Sequence, residues 1–186
     1  NVSGSSNTIS LNLVNSGGLT NTGALALSGS NTFGGPITLN GGNVIEAAIN
    51  AMGNGTALNI NSNSLLTLAG IGTNNFGAIT LSNGAISGGA FTNNGITASG
   101  TSSISSSILG GGGVTNTAGT LTLSRSNSYT GGTVINGSTL ALSGAGTLGA
   151  VTNTTIITND GILNLGGTTQ QQGVISMSGC SITNGT

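Results

Sequence analysis

Charged side chains are nearly missing from this sequence: Arg125, Glu46 and Asp160 are the only ones among 186 residues, and lysine and histidine do not occur. A net charge of −1 leaves no long-range field to steer nucleic acid or an anionic membrane surface, so neither is expected as a partner. Cys180 is the single cysteine, which excludes an internal disulfide; it reads as a half-buried small apolar residue. No apolar run approaches the roughly 18 residues that a membrane-spanning helix needs, so the chain is not expected to be membrane-embedded. The first residues, NVSGSSNTIS, lack the basic region and apolar stretch of a signal peptide.

The same absences exclude most chemistry. Glycoside cleavage wants paired carboxylates, and lyase chemistry wants a basic proton acceptor. Here Glu46 and Asp160 stand far apart in sequence, and Asp160 sits in TNDGIL, a turn signal. Serines are plentiful but have no histidine or lysine to activate them, and zinc or calcium sites lack ligands. The run LGGGGV at 109–114 has no following Lys-Ser/Thr and reads as a flexible corner. Arg125, close to Tyr129, reads as a surface cation–π or hydrogen-bond contact. The N-x-S/T triplets at Asn1, Asn54, Asn136, Asn153 and Asn184 are expected by chance in such a composition. No catalytic, cofactor-binding or metal site is therefore expected, and the chain reads as a non-enzyme.

What is present is pattern. Apolar residues come as period-two doublets: Leu11/Leu13, Leu25/Leu27, Ile37/Leu39, Leu58/Ile60, Leu66/Leu68, Ile79/Leu81, Leu121/Leu123, Leu140/Leu142, Leu163/Leu165 and Ile175/Met177. Each predicts a short strand with one buried face, and Gly, Asn or Ser clusters separate the strands. Several recur at about twenty residues (Leu58 to Ile79, Leu121 to Leu140, Leu140 to Leu163), the mark of a solenoid. Residues 18–35 also align with 113–132. Leu25, Leu27, Ser28, Ser30 and Asn31 match Leu121, Leu123, Ser124, Ser126 and Asn127, and Phe33 matches Tyr129. Phe33, Phe76, Phe91 and Tyr129 read as core stackers. Gly-Gly and Asn-Gly pairs would occupy corners that need positive φ.

One segment breaks the strand rhythm. In NVIEAAINAMGNG, residues 43–55, Val44, Ile45, Ala48, Ile49 and Met52 fall on one helical face. Asn43 with Glu46 three residues on has the form of a capping box, and Gly53 supplies a stop. The expectation is a short helix or helical loop near 43–53, with Glu46 as a cap partner. The whole chain, 1–186, is expected to be a single all-β domain, a β-solenoid of about nine coils.

Residues 121–144, LTLSRSNSYTGGTVINGSTLALSG, resemble the autotransporter-associated β-strand repeat of bacterial passenger domains. Residues 25–42, LALSGSNTFGGPITLNGG, are a looser copy, and AMGNGTALNI at 51–60 resembles a further part of the pattern. The resemblance implies a right-handed parallel β-helix that is exported to the extracellular space or the bacterial cell surface. That family commonly has lysine where Asn21 and Asn116 stand here. No amphipathic membrane-barrel strands occur within the 186 residues.

Three functions follow as expectations. The first is a structural β-solenoid, a stalk or fibre subunit whose partner is itself through end-to-end or strand-exchange assembly, since open solenoid ends invite stacking. The second is an adhesin binding glycans or host surfaces. The third, ice binding, requires Thr-x-Thr pairs at one place in successive coils; TNT at 20–22, 115–117 and 152–154 is too irregularly spaced to build such an array. On that ground ice binding is the least expected of the three.

Overall fold

The computed structural model describes residues 3, 7–10, 12–70 and 72–186. Leu11 and Asn1 lie outside the described residues. The rest winds into a parallel β-solenoid. The first sheet takes one strand from each of nine coils: Leu19–Asn21, Ile37–Asn40, Thr56–Asn61, the later part of Thr73–Ser82, Ile96–Ser99, Val114–Asn116, Thr133–Asn136, Thr154–Thr158 and Val174–Met177. The second sheet stacks Asn7–Ile9, Leu25–Leu27, Asn43–Glu46, Leu65–Leu68, Ala85–Thr92, Thr101–Leu109, Thr120–Leu123, Thr139–Leu142, Ile162–Asn164 and Ser181–Thr183. A third side is less regular, with pairings such as Val14–Asn15 on Thr32–Phe33 and Thr73–Asn75 on Ala90–Thr92.

The twenty-residue recurrences are the true registers. Leu58 pairs with Ile79, Leu121 with Leu140, and Leu140 with Leu163. Equivalent side chains therefore stack on one another along the axis. Leu27, Ile37, Leu39, Leu58, Ile60, Leu66, Ile79 and Leu81 are all essentially without exposure. Burying one such side chain is worth about 1.5–3 kcal/mol, and no single three- or four-residue strand could do it alone. Phe76, Phe91 and Tyr129 are fully buried, the two phenylalanine rings 5.8 Å apart, while Phe33 is half-buried against the core.

The expected helix near 43–53 does not form. Asn43–Glu46 is a strand paired with Leu25–Leu27 on one side and Leu65–Leu68 on the other. Burial alternates with period two: Val44 and Glu46 are inside and Ile45 is 50 % exposed. A two-turn helix would leave its terminal N–H and C=O groups without partners, whereas flanking coils on both sides satisfy the strand's. β-Branched Val44 and Ile45 favour the same outcome. Isolated turns follow, with Ala51 N–H donating to the Ala48 carbonyl and Gly53 N–H to that of Asn50.

The glycine pairs split between two roles. Gly132 has φ +82°, as a corner requires, but Gly131 does not have positive φ. A Cβ on Gly131 would lie 2.4 Å from the Gly113 nitrogen, and one on Gly113 2.6 Å from the Gly131 carbonyl oxygen. These glycines let neighbouring coils touch backbone to backbone.

Candidate functional site

The few reactive groups are kept apart. Asp160 is exposed in a turn, at φ +60°, with its N–H donating to the Gly179 carbonyl. Arg125 is exposed and Tyr129 is buried, so the expected ring contact gives way to another use of the residue: the Arg125 carbonyl accepts hydrogen bonds from Thr147 N–H and from the Asn127 side chain. Cys180 is half-buried against the core, its Sγ 3.2 Å from the Ile157 carbonyl oxygen. Tyr129 shares a 2.7 Å hydrogen bond with the Thr133 hydroxyl, and burial raises its phenol above the ordinary value. Among the described residues, no three His, Cys, Asp or Glu side chains gather where they could hold a metal ion. No helix among them is long and apolar enough to cross a membrane.

Glu46 is the exception to surface charge. Its side chain points inward in a strand whose register neighbours are Leu27 and Leu68. Oε1 accepts a 3.0 Å bond from Met52 N–H, and Oε2 has no protein partner. Burial raises the carboxyl from 4.5 to about 7, opposed by hydrogen bonds from the Met52 and Ala51 amides. Glu46 thus closes the turn that follows its own strand, in place of the capping role expected for it.

Two buried asparagines repeat one geometry that sequence reading aligned but gave no role. Asn127 Oδ1 accepts from Ile108 N–H in the preceding coil at 2.9 Å. Its Nδ2 donates to the Arg125 carbonyl at 2.9 Å and to the Thr147 carbonyl of the following coil at 2.6 Å. Asn31 does the same with Leu13 N–H at 2.8 Å, the Gly29 carbonyl at 3.1 Å, and the Ala51 carbonyl. Each asparagine joins three successive coils at an irregular corner where strand pairing fails. The signal was the shared S-x-S-N-x-aromatic order at 124–129 and 28–33, legible as duplication but not as a clamp.

Outside, the first sheet carries a polar net. Register places Thr20, Thr38, Asn59, Thr80, Thr97 and Thr115 in one outward column across six successive coils. A second column two residues on contains Asn40, Asn61, Ser82 and Ser99, continued by Thr117. Side chains link along the columns, as in Asn61 Nδ2 to Asn40 Oδ1 at 3.0 Å. Beside the threonines runs a shallow open trough with Ala78, Gly95 and Gly113 along it. The TNT triplets at 20–22 and 115–117 belong to these columns. The third does not: Ile156, not a threonine, continues the first column in the coil of Thr154–Thr158. Thr-x-Thr itself thus stands at only two of these six coils, as its sequence spacing indicated, while the register fills the intervening coils with Thr, Asn and Ser at the same places.

No curated protein and no solved structure matches the chain. The family model of the passenger-associated-transport-repeat matches residues 19–45 and 118–142, the two stretches that carry the duplicated Leu-x-Leu strands. These stretches run through consecutive coils of the solenoid, so over them the parallel β-solenoid is similar to the passenger-associated-transport-repeat.

Proposed function

We propose that this chain is a non-enzymatic rod, a surface stalk or fibre segment whose product is its own length and stiffness. The observation that carries the reading is the stacking itself: nine coils in register around one continuous apolar core, with the reactive side chains isolated from one another. The passenger-associated repeat implies an exported or cell-surface protein. A neutral surface suits a subunit that stacks, because no like-charge repulsion opposes close approach.

Self-assembly is the fibre form of this reading. In the coil of Val174–Met177 and Ser181–Thr183, Ile175, Met177 and Ile182 align with the core positions Thr155, Ile157 and Leu163, yet they are 46 %, 45 % and 37 % exposed. A further stacked coil would cover them and pair the strand edges beneath. The coil that covers them is further solenoid, either in the same polypeptide or in a second copy. Electron microscopy of the purified chain near neutral pH tests this. Filaments are expected; dispersed short rods at high concentration refute the fibre reading and leave the stalk.

A further inference from the structure

We propose that the outward face of the first sheet, over its first six coils, binds ice. The face is a two-column net. Neighbouring strands set one repeat at about 4.8 Å and the i, i+2 step sets the other at about 6.6 Å. Six coils make it about 24 Å long. Five of the six positions in the first column are threonine, each offering a hydroxyl that holds a water and a methyl beside which water closes a cage, and the sixth is Asn59. Asn and Ser hydroxyls and amides fill the second column at the same spacing.

Charge decides between ligands. Ions bind water in shells oriented around themselves, which break up a regular lattice; none of the three charged side chains lies on this net. Glu46 is buried, and Arg125 and Asp160 occupy turns elsewhere. A neutral, repeating donor and acceptor net is complementary to a neutral, repeating water lattice. A sugar chain is fitted less well, because the aromatic rings Phe76, Phe91 and Tyr129 that would offer it a stacking platform are buried in the core. Past Thr115, Val134 and Ile156 take over the column, which sets the limit of the face.

The test is slow freezing of the whole chain onto an ice surface, comparing protein in ice with protein left in liquid. Enrichment of at least several-fold over a non-binding reference protein is expected, with faceting of single ice crystals. The double variant Thr80→Tyr/Thr97→Tyr should fall to the reference level, as should the single variant Thr97→Asp, which adds a charge at nearly unchanged side-chain size. Thr120→Tyr/Thr122→Tyr, on the outward face of the second sheet, should retain full enrichment. Circular dichroism checks that each variant is folded. Wild-type protein at the reference level overturns the proposal. So does equal loss in the second-sheet variant, or sedimentation with cellulose or lateral bundling of rods without enrichment in ice.

Discussion

Glu46 makes the stability of this solenoid depend on pH between about 4.5 and 7. The folded carboxyl ionises near 7 and the unfolded one near 4.5. Below pH 4.5 the group is protonated in both states and costs nothing. Between 4.5 and 7 the unfolded chain gives up the proton and the folded chain keeps it, so stability falls as pH rises. Above 7 both states are ionised and the loss levels off. At about 1.4 kcal/mol per pH unit, the separation amounts to about 3 kcal/mol. Asp160, the other side-chain carboxyl, is exposed in a turn, and the chain has no histidine or lysine to titrate nearby. Urea denaturation followed by circular dichroism at intervals from pH 4 to 8.5 measures the effect. Glu46→Gln keeps an acceptor for Met52 N–H and removes the charge, so its midpoint should stay flat while that of the wild type drops. Parallel curves for the two proteins would refute the reasoning, as would a wild type whose stability rises across this window.

Two further perturbations follow from the corners. Asn127→Ala removes bonds to three coils and leaves Ile108 N–H buried without a partner, at a cost of about 2–4 kcal/mol. Hydrogen exchange should show the loss concentrated at residues 108–110 and 147–149; protection unchanged there counts against the clamp. Gly113→Ala drives a Cβ against the Gly131 carbonyl, which should destabilise by about 1–3 kcal/mol, whereas Gly111→Ala points into open space and should change stability by less than about 0.5 kcal/mol. Equal melting temperatures for these two variants would show that coil contact at the glycine pair is looser than described.

The architecture was legible because a solenoid writes its register into its sequence. The same wall position recurs each turn, so Leu58/Ile79 and Leu121/Leu140/Leu163 could be paired from spacing alone. Strands whose inward positions are polar gave a weaker signal. Ser102 and Ser106 alternate with Ile104 and Ile108 on the inner face of Thr101–Leu109, and a doublet of apolar residues never appears at the first of them. Asn21, Asn116 and Thr133 hide three other strands in the same way. The segment 43–53 misled for the opposite reason. Its apolar residues fit a helical face, and only the flanking coils, by offering partners to every amide of Asn43–Glu46, made the strand the better solution.

Composition and spacing by themselves determined an all-β solenoid of about twenty residues per turn, with no reactive centre legible in it, because local alternation and turn residues are properties of the chain. Three features belonged to the tertiary structure alone. The buried carboxyl of Glu46, the asparagine clamps and the outward threonine net each depend on residues brought side by side from different coils. The coils vary in length, so a column that is regular in space is irregular in sequence, and only register reveals it.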